Sequence, residues 1–441
     1  MSHDTHNACD PNLPSSPTVR DYTTANQYDK MKKNAALLAQ QNLPVTRIGQ
    51  TLQPTLPTQF RQIKNAWDQK EWLEAIHSEI NNHKKRKTYR LVPREPWMFE
   101  IQPKDIFKLK YNGSDFIKRK YRAAGRKGFS QTKGVNFDET YAPVADWSSK
   151  LMGLNLALLR RWKINIVDVT TAFINTDLHE KMKNGDELPR SQRIFMKPSA
   201  LWKELLKIPD NFTMELLKCI NGLKQSGYRF FKEVVEWLLS LEYTQSKVDL
   251  CVFFNYDDNG NLILVIIIHV DDILYTGITI AMEKFAKELR KKFETTDPKD
   301  INGEMFLGHF ITYNPDKGVL TLSLTHYIEQ ALETFNMANC NTARTPWNGT
   351  LLTRANGTAK DDEEKASMKT FSLTIRNQIG SLNYISGHVR GDLKAYLTPP
   401  ARNVNNPGQK TREAINQIWR YLKQTKDYVL RFDRNIKPGT D

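Results

Sequence analysis

The chain has 441 residues, 39% of them hydrophobic, and its 64 Lys and Arg against 49 Asp and Glu leave a formal net charge of +15. That length can bury a large core and divide into more than one domain or subdomain, and the charge calls for a polyanionic partner. The sequence has no apolar run long enough for a membrane-spanning helix and no signal segment in MSHDTHNACDPN, so an intracellular setting is expected; Cys9, Cys219, Cys251 and Cys340 are too scattered for a disulfide framework or a CxxC metal site.

Residues 1–58 are polar, with PNLPSSP and LQPTLPTQ, and read as a mostly disordered leader holding one short helix near 28–41. His3, His6 and Cys9 have a ligand-like spacing, but a polar terminus fits a disordered tail. Trp72, Ile76 and Ile80 fall at helical spacing and predict an amphipathic helix over 67–83. HKKRK at 83–87 is either a nuclear localisation patch or a solvated basic helix end. From Lys84 to Lys133 there are 16 Lys and Arg against 4 Asp and Glu, interleaved with Tyr89, Trp97, Phe99, Phe107, Tyr111, Phe116, Tyr121 and Phe129. Cations at this density neutralise phosphates and release counterions; the rings either stack on bases or face a core. Strands are predicted at 105–111 and 116–123 around an Asn112-Gly113 turn.

A helix over 151–161 leads to KINIVDVTTAF at 163–173, a β-branched strand that delivers Asp168 and, five residues later, Phe173. HEKMKNGDELPRSQR at 179–193 reads as a charged surface insertion. A helix is predicted over 228–241, and 252–254 opens a hairpin series that ends in LILVIIIHVDDILYTG at 262–277. A strand this apolar is buried on both faces, and the adjacent Asp271 and Asp272 are costly there unless a cation neutralises them; the alternative is an ordinary exposed hairpin turn. With Asp168, two strands end in carboxylate oxygens, which suit Mg²⁺ completed by substrate phosphates. Two such ions about 4 Å apart activate an attacking hydroxyl and stabilise a leaving oxygen, so the pattern points to polymerase-type chemistry. Beyond it, 282–293 reads as a helix, 303–312 with 318–324 as a hairpin, 349–368 as a polar linker and 369–441 as a helical part.

The series TYAPVA at 140–145, VDVTTAFINTDL at 167–178, NGLKQS at 221–226, HVDDIL at 269–274 and MFLGHFI at 305–311 resembles, in that order, the reverse transcriptase of copia-type long-terminal-repeat retrotransposons. IGSLNYISGHVRGDLKAYL at 379–397 and WRYLKQTKDY at 419–428 resemble the segments that follow the polymerase core in those elements. The resemblance covers 59–432 and implies an α+β fold. Its centre is a right-hand polymerase palm, a mainly antiparallel sheet with helices packed on one side. Fingers, palm and the start of a thumb occupy 59–348, and a helical thumb- or connection-like part follows at 369–441. The implied activity is RNA-directed DNA polymerisation: a DNA primer is extended on an RNA or DNA template with deoxynucleoside triphosphates and two Mg²⁺ ions, Mn²⁺ being a substitute. The implied setting is the cytoplasm, a virus-like particle or the nucleus, with no membrane. No protease or integrase segment is apparent, and the chain stops where the family continues into ribonuclease H, which implies a polymerase core standing alone or a fragment.

On this resemblance Asp168, Asp271 and Asp272 hold the metals, Asp271 ahead of Asp272 because successive strand residues point to opposite faces. Phe173 lies beneath the incoming sugar, where its ring excludes a 2′-hydroxyl, and Gln225 lies near that sugar. Lys120, Arg122, Arg126 and Lys127 are the triphosphate candidates, in a YRAAGRKGF shifted in register from the family's KARLVARGF. Phe306, Leu307 and Gly308 match the hairpin at the primer end, as does His269, where the family carries Tyr or Phe. His269, Asn175-Thr176-Asp177 in place of Asn-Gly-Asp, and Gly227 near a usual Pro leave an alternative: a catalytically weak or inactive remnant that still binds nucleic acid.

Overall fold

The computed structural model describes residues 54–112, 115–125, 139–179, 189, 192–347, 349 and 352–435, all within the compact unit Ile48–Asp441. Residues 1–53 of the leader, with its helix near 28–41, His3, His6 and Cys9, lie outside the described residues, as do the cations Arg126 and Lys127, the ring Phe129 and most of the 179–193 insertion. The end of the expected leader, 54–58, belongs to the fold: Thr55 N donates to Asp68 Oδ2 at 3.0 Å.

After α1 (Phe60–Ile63), helix α2 (Gln69–Lys85) buries Trp72, Ile76 and Ile80 as their spacing requires. It ends in His83, Lys84 and Lys85, cations that suit a helix C-terminus. Strands β1 (Tyr89–Pro93) and β2 (Glu100–Ile101) follow, and then β3 (Pro103–Asn112) and β4 (Asp115–Gly125) pair as a separate two-stranded hairpin. Phe107 pairs with Tyr121 on the face that packs against Trp72, whereas Lys108 opposes Lys120 and Lys110 opposes Lys118 on the other.

Helix α3 (Trp147–Arg160) begins at Asp146, whose carboxylate accepts from Ser148 N, and leads into β5 (Lys163–Asp168) and the single turn α4 (Ala172–Asn175). Next come β6 (Ile194–Met196), α5 (Ala200–Leu206) and β7 (Phe212–Leu216), which complete a small sheet in the order β1-β7-β6-β2. The principal sheet is built with α6 (Ser226–Ser240), β8 (Thr244–Gln245), β9 (Val252–Tyr256), β10 (Leu262–His269), β11 (Asp272–Gly277), α7 (Thr279–Lys292) and β12 (Lys299–Asp300). It is antiparallel, in the order β12-β5-β11-β10-β9-β8.

Helices cover both faces of this sheet rather than the one side expected. On one face Ile267 meets α3 at Gly153, where a Cβ would come within 2.6 Å of Ile267 Cδ1. On the other, Tyr275 packs on Phe285 of α7 with ring centroids 4.9 Å apart. Two-sided cover is why residues 264–268 are at most 2% exposed.

Strands β13 (Glu304–Phe306), β14 (His309–Asn314) and β15 (Val319–Ser323) precede α8 (Thr325–Thr334), α9 (Arg354–Gly357), α10 (Asp362–Ser367), α11 (Lys369–His388), α12 (Lys394–Ala401) and α13 (Gln409–Gln424). The C-terminal part is not helical throughout: β16 (Leu430–Asp433) returns to extend the sheet beside β15. The stretch expected as a polar linker holds α9 and α10, and Gly408 N and Thr411 Oγ1 donate to Gly357 O at 2.8 and 2.7 Å. Its polarity reflects hydrogen-bonded rather than apolar contact. One buried cluster runs through the principal sheet, α11 and α13; a second joins α2, the β3–β4 hairpin and the small sheet, and Phe173 packs against both.

Candidate active site

The two acidic strand ends meet. Strands β5 and β11 pair so that Asp168 opposes Asp272, and Val169 N donates to Asp271 O at 2.8 Å. His269 pairs with Asp272, which leaves Val270 and Asp271 as a two-residue hairpin turn. Val270 has φ +61°, a left-handed backbone that is unfavourable for a β-branched residue and is the kind of local strain a surrounding sheet can hold. The Asp168 backbone is strapped from the far side: its N–H donates to Thr296 Oγ1 at 3.0 Å, and Thr296 N donates to its carbonyl at 2.9 Å. Burial and then the Asp271 charge push the Asp168 carboxyl above its usual range, while Lys120, Lys110 and Arg122 pull it down. Asp271 is exposed and Asp272 half-buried.

Among the described residues no three His, Cys, Asp or Glu side chains form a group able to hold a metal by themselves. A hard cation of the magnesium kind needs only one or two carboxylates and completes its shell with water and phosphate. The mutual repulsion of Asp168 and Asp271 is the electrostatic condition that such a cation relieves.

The cations of the β3–β4 hairpin divide by use. Lys120 is half-buried, and its ammonium is pushed below its usual range by burial and then by Arg122 and Lys110, with Asp168 and Glu79 opposing. Lys120, Arg122 and also Lys110 therefore lie within electrostatic reach of the Asp168 carboxyl. Sequence reasoning missed Lys110; its signal was the alternation that puts Lys108, Lys110, Lys118 and Lys120 on one face. None of these four lysines has an ion-pair partner among the described residues.

Arg119 behaves differently. Its Nε and Nη2 reach Asp68 Oδ2 at 2.7 and 2.6 Å, and its guanidinium lies 5.7 and 5.1 Å from the Trp67 and Phe116 ring centres. In HKKRK, His83 is buried and Arg86 binds Asn175 Oδ1 at 2.6 Å and the Glu294 carboxylate, which makes the segment a helix end with two of its five side chains committed inward.

The NGLKQS loop locks onto the end of β4. Gly125 N donates to Asn221 O at 2.8 Å, and Gly222, at φ +90°, sits so close that a Cβ would lie 2.4 Å from Gly125 O. Gln225 follows as the 5% exposed N-cap residue of α6. Phe173, on α4, is half-buried and meets Phe230 of α6 edge-on at 6.3 Å.

At the expected primer-end hairpin, Phe306 pairs with His309, and Leu307 and Gly308 form the turn with φ +50° and +84°. Phe306 is only 5% exposed, so its ring belongs to the core and the turn alone is presented. Tyr384 of α11 donates to Leu307 O at 3.3 Å, and His309 stacks on Trp147 at 4.4 Å; burial pushes that imidazole down to about 3. Met305 and Phe310, opposed across β13 and β14 and 48% and 42% exposed, are an apolar pair beside the turn that sequence reasoning did not single out.

Residues 86–349 match the family described as reverse transcriptase (RNA-dependent DNA polymerase). The chain is 29% identical over 390 residues, 87% of its length, to the retrovirus-related Pol polyprotein from transposon TNT 1-94 of Nicotiana tabacum, of which it covers 28%. It is 29% identical over 81% of its length to the corresponding polyprotein from transposon RE2 of Arabidopsis thaliana, covering 23% of that protein. The chain thus spans about a quarter of the length of these curated relatives. A solved foamy viral protease-reverse transcriptase in complex with ds DNA aligns at a TM-score of 0.42 and 14% identity, over 80% of this chain and 48% of that one, a likeness too slight to carry weight. An antiparallel sheet that ends in paired carboxylates, the ordered motifs around it and a family match over more than half the residues lead to one conclusion: this chain belongs to the reverse transcriptase (RNA-dependent DNA polymerase) family.

Proposed function

We propose that the chain is the RNA-directed DNA polymerase of a retrotransposon and extends a primer on an RNA or DNA template. The observation that supports this reading is the convergence of two charge sets on Asp168, which pairs across the strands with Asp272 and feels both the Asp271 carboxylate and the cations Lys120, Lys110 and Arg122. A nucleoside triphosphate is the kind of ligand that such sets would recognise, its anionic oxygens through the cations and its accompanying metal through the carboxylates. Asp168 and Asp271 would hold Mg²⁺, with Asp272 as the third carboxylate; when bound, the metal stabilises charge on the attacking and leaving oxygens.

The chain's own residues do the rest. Lys110, Lys120 and Arg122 draw in and orient the phosphates. Phe173 and Gln225 bound the sugar. The Leu307–Gly308 turn and His269 face the primer end. In this scheme α2 with β3–β4 forms the fingers, the principal sheet the palm, and α8–α13 the thumb- or connection-like part. Among the described residues no helix is long and apolar enough to cross a membrane.

A template–primer extension assay with Mg²⁺ or Mn²⁺ tests this reading. Extension by the parent protein and its loss in Asp168→Asn are expected. A parent that binds nucleic acid in a salt-sensitive way yet adds no nucleotide is instead a binding remnant. Mg²⁺ should also raise the unfolding temperature of the parent more than that of Asp168→Asn, a readout that needs no turnover.

A further inference from the structure

Helix α2 and the residue before it present two buried carboxylates to two arginines of β4, and the two pairs are built differently. Asp68 is 0% exposed; Arg119 gives it both Nε and Nη2 and is flanked by two rings, so that guanidinium is committed. Glu79 is 3% exposed and receives a single N–H, from Arg122 Nη1 to Oε2. The Arg122 side chain remains 28% exposed, and its other donors have no partner among the described residues. Behind Glu79, Oε1 lies 3.6 Å from His83 Nε2, and His83 Nδ1 is 2.7 Å from Thr88 Oγ1, so the carboxylate is backed by a fixed ring. Arg122 shares its strand face with Lys118 and Lys120 by alternation along β4, and Lys120 and Asp168 both sense its charge.

We propose that Glu79 is a positioning residue: it anchors one nitrogen of Arg122 so that the free side of the guanidinium faces the phosphates of the incoming nucleoside triphosphate. This rests on the reading of Arg122 as a phosphate contact. A guanidinium carries five donors in a planar fork, and two-point recognition of phosphate requires that the plane be held. Repulsion from Lys120 would otherwise turn Arg122 outward into water. Glu79 holds it from below through one nitrogen and leaves the remaining donors to the ligand.

The test uses the full chain on a template annealed to a dideoxy-terminated primer, so that the next nucleotide binds without being added. The readout is the deoxynucleoside triphosphate concentration that protects the complex against competitor nucleic acid. Arg122→Ala should weaken nucleotide affinity at least about tenfold, and Glu79→Gln, which keeps the acceptor oxygen and removes the charge, about five- to tenfold. In both, template–primer affinity without nucleotide should stay within about twofold, and Glu79→Gln should add nothing in the Arg122→Ala background.

A Glu79 that only holds the hairpin would lower the unfolding temperature and template–primer affinity together and leave nucleotide affinity unchanged, which overturns the proposal. If Arg122→Ala has no effect on nucleotide affinity, the reading of Arg122 fails and the inference with it. If Arg122→Ala has an effect and Glu79→Gln has none, only the inference fails. Should Glu79→Gln not fold, Glu79→Asp keeps the charge but withdraws it by about one bond length, roughly 1.5 Å. Unchanged nucleotide affinity in that variant overturns the positioning role, and a loss that disappears in the Arg122→Ala background supports it. A parent that gains no nucleotide-dependent protection refutes both readings.

Discussion

Two hairpins supply the candidate site, and they hold their charges in opposite ways. The β10–β11 hairpin is central to a six-stranded sheet with helices on both faces; its Asp272 is set by backbone register opposite Asp168 of β5, which the Thr296 strap holds in turn. The β3–β4 hairpin has two strands and one packed face, and two of its cations, Arg119 and Arg122, are placed by side-chain pairing with buried acids of the α2 region. A charge set by register depends on the fold as a whole, so replacing it alters chemistry and leaves geometry alone. A charge set by pairing is part of the geometry, so replacing it disturbs position and stability as well.

The largest expected effect lies in the palm. Asp168→Asn and Asp271→Asn each change charge without size at positions fixed by the sheet, so single-nucleotide addition should fall by about three orders of magnitude or more with folding intact. Near-parental rates in either variant would reject the metal-holding pair and remove the contrast between the hairpins.

Next comes Arg119→Ala, which sharpens the contrast from the side of the fingers. Asp68 would lose its cation while keeping the Thr55 hydrogen bonds, so a loss of about 2–3 kcal/mol in denaturant stability is expected. The dependence of nucleic-acid affinity on salt should not change. A flatter salt slope in this variant would show that Arg119 meets phosphate after all.

Replacing Lys108, Lys110, Lys118 and Lys120 with Ala should do the reverse. Like charges directly opposed across β3 and β4 repel, so the hairpin should gain stability, by roughly 0.2–1 kcal/mol per relieved pair. The slope of log affinity against log salt should flatten by up to about 0.9 for each phosphate that is no longer neutralised. An unchanged slope would place the nucleic-acid footprint elsewhere on the chain.

The contrast also explains what was legible in the sequence. The apolar run 262–268 and the Asp pair are local signals, and so the strand, the turn and its acids could be read directly. Helix α2 announced itself by the spacing of Trp72, Ile76 and Ile80, and α6 by its apolar pattern. The arginine pairings could not be read this way, because Asp68 is 51 residues from Arg119 and Glu79 is 43 from Arg122, with nothing in composition to say which acid meets which base. The Thr296 strap, 128 residues from Asp168, was hidden for the same reason. The 349–368 stretch looked like a linker because it is held by hydrogen bonds, which leave no periodic trace. Two-sided cover of the palm was implied by the apolar run, yet the expectation of helices on one side overrode it.

Phe173 stands between the two regions, and its replacement is the smallest and most diagnostic change. The ring packs on both buried clusters and meets Phe230 edge-on, so Phe173→Val removes packed area whatever the ring does for the sugar. A loss of about 1–2 kcal/mol in stability is therefore expected and says nothing about function. Sugar selectivity separates the two roles, because the ratio of ribonucleotide to deoxyribonucleotide incorporation is measured on the folded fraction alone and does not depend on its size. If the ring lies beneath the incoming sugar, the smaller side chain opens room for a 2′-hydroxyl, and the ratio should rise about tenfold, or roughly 1.4 kcal/mol of discrimination. If the ratio stays at the parental value while stability falls, Phe173 is a core residue that joins fingers to palm, and the site's sugar discrimination has to be sought among other residues near the β5 end.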